Sequence, residues 1–119
     1  MTASRTLRIA VVGAGYVATH HLAALSRLDF VEIVGLCDSN LPAAEALAKR
    51  FRIGMVATKL AELAVTKPNV VYVLTPPSSH TALAIEAMDM GCHVLVEKPM
   101  ADSVADCETM LAKSMATGL

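Results

Sequence analysis

Leu7-Arg8-Ile9-Ala10-Val11-Val12-Gly13-Ala14-Gly15-Tyr16-Val17-Ala18 is the stretch on which the fold turns. Leu7 to Val12 is a short, nearly continuous apolar run rich in branched side chains, the pattern of a strand covered on both faces. Gly13-Ala14-Gly15 breaks it. Ala18, Leu22 and Leu25 then recur at i, i+4 and i+7, which lays one apolar stripe along a helix of about three turns. Between that strand and that helix, Gly13 permits a tight turn and Gly15 lets the backbone approach a pyrophosphate with no side chain in the way. Ala18 allows the helix to pack close to the sheet. A phosphate would sit against the free N–H groups of Tyr16 and Val17, at the positive end of the helix.

Outward from this unit the same alternation continues. Val31 to Cys37 reads as a second strand ending at Asp38, and Pro42 falls in the first turn of a helix that runs to about Phe51. A weak strand near Met55 to Ala57 precedes a short helix at Leu60 to Val65, with Thr58 as its expected cap. Val70 to Leu74 is the clearest strand, and Thr75-Pro76-Pro77 must stop it, because proline cannot sit in a central ladder. Ser78 or Ser79 is expected to cap the next helix, with Leu83, Ala87 and Met90 on one face and Gly91 at its end. His93 to Val96 is a fifth strand. Ser103 caps a last helix in which Val104, Cys107 and Leu111 line one side, and Gly118 closes it. The methionines at 88, 90, 110 and 115 read as helix packing, those of the last helix also as a surface for a further domain.

Strands alternating with helices imply right-handed βαβ units and a parallel sheet. The fold class is α/β, a doubly wound, Rossmann-like parallel sheet with five strands visible. Such folds carry strands in the order 3-2-1-4-5-6, so a sixth strand is expected to be missing along with a C-terminal α/β domain. Residues 1–119 are expected to form a single dinucleotide-binding domain truncated before the substrate domain. Self-association is expected too, since strand five is left as an open edge.

Composition narrows the function. The chain is 55% apolar with a net charge of −1 and no Lys/Arg cluster, so nothing directs it to nucleic acid. Arg5 and Arg8 before an apolar run imitate a signal peptide, but Gly13 and Gly15 interrupt the run, and no stretch approaches the roughly 20 apolar residues of a membrane span. Cys37, Cys92 and Cys107 are scattered and odd in number, which fits free thiols in a reducing cytoplasm. His20 and His21 are adjacent on a helix and point apart, and His93 opens a strand. No spacing suits a metal, and all three histidines read as structural.

Asp38, about twenty residues beyond the glycines, can accept hydrogen bonds from both ribose hydroxyls and would repel a 2′-phosphate, which favours NAD. Ser39 and Asn40 beside it leave NADP open, and a plain turn role before Pro42 is the alternative for Asp38. Thr75, Pro76 and Pro77 either pack against the dinucleotide or simply stop a strand. Glu97 and Lys98, taken by composition, would be a solvated ion pair. Their place at the carboxyl end of a parallel strand, where ligands bind in such sheets, argues for a site.

Thr75-Pro76-Pro77-Ser78-Ser79-His80 and Gly91-Cys92-His93-Val94-Leu95-Val96-Glu97-Lys98-Pro99-Met100-Ala101 closely resemble the Gfo/Idh/MocA family (glucose-fructose oxidoreductase, inositol dehydrogenase and relatives), and Glu97-Lys98-Pro99 is the most distinctive part. The resemblance covers the whole chain. It implies a two-domain enzyme that moves a hydride between NAD or NADP and a carbinol carbon of a sugar or cyclitol. Lys98 would be the catalytic lysine, close to the nicotinamide ribose and the reacting hydroxyl. A free lysine titrates near 10.4, so it is better suited to stabilising an alkoxide or relaying a proton than to acting as the sole base. The family pattern also has a histidine at His80, read here either as near the cofactor or as a hydrogen-bonder at a helix end. The substrate site and its basic histidine belong to the domain expected to be missing, so this chain alone is expected to bind a dinucleotide weakly and turn nothing over. Two other readings are a non-catalytic dinucleotide-sensing module and a methyltransferase. Neither has need of the Glu97-Lys98-Pro99 segment.

Overall fold

The computed structural model describes residues 5–119; residues 1–4 of the expected domain lie outside them. The elements run β1 (Leu7–Val12), α1 (Tyr16–Leu25), β2 (Val31–Cys37), α2 (Leu41–Phe51), β3 (Val56–Ala57), a 3-10 helix (Leu60–Thr66), β4 (Val70–Val73), a 3-10 turn (Pro77–Ser79), α3 (His80–Asp89), β5 (His93–Val96) and α4 (Val104–Thr117). All strand pairs are parallel, in the order β3-β2-β1-β4-β5. That is the doubly wound arrangement expected from the glycine turn, and it brings the carboxyl ends of β1, β2 and β4 to one edge of the sheet.

The central strand explains its own sequence. Ile9 and Val11 pack on one face of the sheet against Leu22 of α1 and Leu47 of α2, while Ala10 and Val12 pack on the other with Leu63 and Ala87. Both faces are covered, so β1 reads as an unbroken apolar run rather than an alternating one. A fully buried Leu22 contributes about 1.5–3 kcal/mol of apolar burial. Asn40, read from sequence only as a neighbour of Asp38 that leaves room for a 2′-phosphate, caps α2 by accepting from the Ala43 N–H at 3.2 Å. Ser103 accepts from the Asp106 N–H at 3.1 Å, and Gly118 closes α4 at φ 75°.

Three expectations are corrected. Leu60–Thr66 is a 3-10 helix entered from Lys59, and the Thr58 hydroxyl donates to Glu62 Oε1 at 3.4 Å instead of capping it. Neither Ser78 nor Ser79 caps α3. A 3-10 turn precedes that helix, and Ser79 Oγ donates to the Pro76 carbonyl at 2.8 Å, within the loop. On α3 the expected face holds, with Ala87 buried and Leu83 and Met90 half-buried against the sheet core, and a second face, Ala84 and Met88, packs toward Met110 of α4. On α4 the buried residue is Met110, whereas Val104, Leu111 and Met115 are 75%, 55% and 78% exposed. The helix touches α3 on one side only, so one stripe is covered and the apolar stripe beside it is not. Met88 and Met110 are core residues as expected.

Candidate functional site

The turn after β1 is fixed by backbone hydrogen bonds. The Gly13 N–H donates to the Cys37 carbonyl of β2 at 2.8 Å, and the Leu74 N–H beyond β4 donates to the Val12 carbonyl at 2.8 Å. Gly13 stands at φ +110°, and a Cβ there would lie 2.8 Å from both the carbonyl carbon and the oxygen of Leu74. The site thus demands glycine twice, for the dihedral angle and for the space.

Gly15 is the opposite case. Its φ is −90°, and a Cβ would meet nothing within 4 Å. It opens α1 without any side-chain cap, so the first N–H groups of the helix face a space that a side chain would fill. Tyr16 and Val17 are exposed at this entrance, while Ala18 is fully buried against the sheet. A bare helix start beside an empty approach is the geometry a pyrophosphate requires. The cradle therefore fits a dinucleotide.

Asp38, at the end of β2, reaches back across the turn. Its Oδ2 accepts from the Ala14 N–H and its Oδ1 from the Asn40 N–H, each at 2.8 Å. A carboxylate oxygen has two lone pairs, so one on each oxygen stays open for a hydroxyl pair. The turn role and the ribose role weighed for Asp38 are compatible. A crevice of about 570 Å³ continues from this point, walled by Asp38, Ser39, Thr58, Lys59, Thr75, Pro76, Ser79, Leu83 and Glu86, with Val12 and Cys37 on its floor. Thr58 and Leu83 were read from sequence only as a helix cap and a packing residue, and Lys59 and Glu86 were not singled out. The only signal available was position, since residues 58 and 59 follow β3 at the same edge.

The Cys37 thiol is pushed up to about 12, chiefly by burial and then by the charges of Asp38, Glu86 and Glu62. It is an inert, protonated part of the floor. Burial also raises Cys92, whose Sγ–H donates to the Pro68 carbonyl at 3.2 Å.

His80 is fully buried. Nε2 lies 2.7 Å from the Thr75 carbonyl and Nδ1 2.9 Å from that of Pro99, so the ring joins the loop after β4 to the loop after β5. It serves the site as a fastener between two loops rather than as a side chain on the crevice wall. Pro76 is exposed, Thr75 and Pro77 are half-buried, and the Thr75 and Ser79 hydroxyls share a hydrogen bond that knits the same loop.

Lys98 is exposed at the carboxyl end of β5, and among the described residues its ammonium has no carboxylate within salt-bridge distance. Glu97 is not its partner. Glu97 Oε2 lies 2.8 Å from Nε2 of His21 on α1, and Oε1 accepts the backbone N–H of Lys98 at 3.2 Å. The His21 bond, then the Lys98 N–H, hold the Glu97 carboxyl below the ordinary carboxylate range. The solvated Glu97–Lys98 pair is absent, and His21 has a site contact that the sequence did not reveal. His20 and His21 do point apart: His20 meets the Tyr16 ring edge-on at 4.7 Å and His21 the Tyr72 ring at 5.6 Å.

Residues 7–118 match the family model described as an oxidoreductase family with an NAD-binding Rossmann fold. The chain is similar to 4-carboxy-2-hydroxymuconate-6-semialdehyde dehydrogenase of a Sphingobium species, 40% identical over 114 residues that cover 95% of this chain and 36% of that protein. It is also similar to D-glucoside 3-dehydrogenase of Escherichia coli, 40% identical across 82% of this chain and 28% of the relative. Among solved structures, the WlbA dehydrogenase of Bordetella pertussis in complex with NADH and UDP-GlcNAcA superposes with a TM-score of 0.90 at 28% identity, covering 96% of this chain and 36% of that one. The chain spans about a third of the length of these relatives.

Proposed function

The chain belongs to the Gfo/Idh/MocA oxidoreductase family, and from that premise we propose that it is the coenzyme-holding domain of an enzyme that moves a hydride between NAD, or secondarily NADP, and a carbinol carbon of a sugar-like or cyclitol-like substrate. The observation that carries this is the open space at Gly15 before the uncapped start of α1, with the Asp38 carboxylate beside it. The N–H groups of Tyr16 and Val17 would hold the diphosphate, and the adenosine ribose hydroxyls would donate to the Asp38 carboxylate. Thr75 and Pro76 form the opposite wall, followed by Pro77 and tied from behind by His80. The names of the relatives support the substrate class, since one is a D-glucoside dehydrogenase and a structural neighbour holds NADH with a nucleotide sugar.

When bound, the nicotinamide ring supplies the hydride chemistry. The chain contributes Lys98, an ammonium unpaired by any carboxylate of the described residues, which donates a hydrogen bond to the substrate oxygen as negative charge grows there. Glu97 keeps its charge on the far side, toward His21, so Lys98 is not neutralised by its neighbour. The residues that choose the substrate, and the base that completes proton transfer, lie in a further domain. The 119 residues alone bind the dinucleotide without turnover.

Calorimetric titration with NADH and NADPH tests the reading. NADH binds the wild-type chain and Asp38→Ala loses most of that affinity, while NADPH gains on NADH in the variant because Ser39 and Lys59 remain at the crevice. Equal NADH affinity for the two proteins would remove Asp38 from the site. Lack of binding by a folded wild-type chain would overturn the cradle itself.

A further inference from the structure

His21 is the sixth residue of α1, and its partner Glu97 directly follows β5, 76 positions later. The imidazole stands edge-on to Tyr72 of β4, at an interplanar angle of 84°. That packing leaves Nε2 aimed at Glu97 Oε2, at 2.8 Å. The carboxylate is held at three points. Its backbone N–H donates to the Val73 carbonyl at 3.1 Å, Oε2 meets His21, and Oε1 accepts the Lys98 N–H at 3.2 Å. The charged groups facing Glu97 are His21 from α1 and Lys98 from its own loop, and Tyr72 is the titratable group behind the ring. As a surface ion pair the His21–Glu97 contact would stabilise the fold by little, since about a quarter of the His21 side chain and a third of the Glu97 side chain face solvent. Its geometric consequence is larger. The oxygen that His21 does not use is the one that fixes the peptide plane from which the Lys98 side chain departs.

We infer that His21 is a positioning residue: it holds the Glu97 carboxylate, and through it the Lys98 peptide, so that the Lys98 ammonium is presented to the ligand end of the crevice. This rests on the reading of Lys98 given above. The inference makes α1 responsible for both ends of the site, because the helix whose start receives the diphosphate also sets the exit of β5 about one and a half turns later. A histidine suits that task. It can donate from Nε2 whether the ring is neutral or charged, and its ring meets Tyr72 at right angles without needing a long, mobile stem.

The test uses the whole chain, without cofactor, and follows the Lys98 backbone amide by NMR as the pH is lowered through the carboxylate range. In the wild type the amide shift follows Glu97 and titrates below the ordinary glutamate range. In His21→Leu the midpoint rises toward that range, in His21→Gln, which keeps an N–H donor, it stays low, and in Glu97→Gln the step disappears. NADH affinity falls several-fold in His21→Leu and recovers in His21→Gln, with urea midpoints close to wild type. Should leucine disturb the packing on Tyr72, His21→Asn is too short to reach Glu97 and gives the same result. An unchanged midpoint in a folded His21→Leu or His21→Asn protein overturns the inference. So does a raised midpoint with undiminished NADH affinity. Failure of the wild-type chain to bind NADH would instead strike the dinucleotide reading, and the amide titration would still judge the hold on Lys98.

Discussion

Replacing Gly13 and Gly15 by alanine, one at a time, should separate stability from binding at adjacent points of one turn. At Gly13 the φ of +110° lies where an L side chain is disfavoured, at a cost of about 1–2 kcal/mol. The new Cβ would also lie 2.8 Å from the Leu74 carbonyl carbon and oxygen, which are backbone atoms and cannot rotate away. Relief requires the exit of β4 to move from β1, and that strains the Leu74 N–H to Val12 carbonyl bond, worth about 1 kcal/mol net. The sum is about 2–4 kcal/mol, a large part of the roughly 5–15 kcal/mol available to a domain. For a chain of this size it lowers the thermal midpoint by about 10 °C. Alanine at Gly15 meets open space at an ordinary extended φ, so stability changes by less than about 1 kcal/mol, the weaker N-cap being offset by a less flexible unfolded chain. NADH affinity should nevertheless fall at least about tenfold, equivalent to roughly 1.4 kcal/mol, because the methyl group stands where the diphosphate must approach. Differential scanning calorimetry and NADH titration measure the two quantities separately. A Gly13→Ala chain melting within about 2 °C of wild type, or a Gly15→Ala chain binding NADH undiminished, would refute the reasoning.

Removing the loop fastener in His80→Ala should cost about 2–4 kcal/mol in urea unfolding, through a cavity and the unpaired Thr75 and Pro99 carbonyls; a loss under about 1 kcal/mol would show that the loops hold each other without it. With Ellman's reagent near neutral pH, half-buried Cys107 should react promptly, and Cys37 and Cys92 only after denaturation. Since native Cys37 keeps its proton to about 12 and an unfolded thiol releases it near 9.0, unfolding sheds a proton between those values. Stability therefore falls as pH rises across that window, and Cys37→Ala should flatten the decline; an unaltered alkaline slope would contradict the burial. Self-association beside β5, with Leu95 and the Leu111–Met115 stripe exposed at that edge, predicts sedimentation that depends on concentration and is relieved by Leu111→Lys. A wild-type chain that sediments as a monomer at every concentration would remove the expectation.

What the sequence made legible was whatever depends on short spans of chain. The glycine turn announces itself because its demands are local: one dihedral angle, one open approach, one small residue where the helix meets the sheet. Asp38 was legible at a distance of twenty-odd residues because a helix, a turn and a strand of ordinary length return the chain to the same edge, where its carboxylate accepts the Ala14 N–H at 2.8 Å. The α4 face was misjudged for a different reason. Val104-Cys107-Leu111 and Cys107-Met110-Ser114 both satisfy a helical period, and the second is the first shifted by three residues, or about 60° around the axis. A period reports that a stripe exists. Which stripe is covered depends on the neighbouring elements, here α3 and the edge strand β5.

His21 and His80 follow from the same distinction. Each makes a bond whose partner is set by the register of β4 and β5, since Val73 stands beside Val96 and so brings Glu97 under α1 and Pro99 beside the start of α3. No spacing along the chain encodes that register. For His80 the structure shows the hydrogen-bonding alternative left open in sequence, a ring at a helix start that joins the loops after β4 and β5. For His21 the misleading signal was its neighbour: two adjacent histidines do point apart, which excludes a shared metal but not separate work for each. One meets Tyr16 at the exposed helix start, and the other reaches the strand end that carries Lys98. The Lys98 end of the candidate site is therefore assembled across the sheet, by side chains that only the parallel pairing of β1, β4 and β5 brings together.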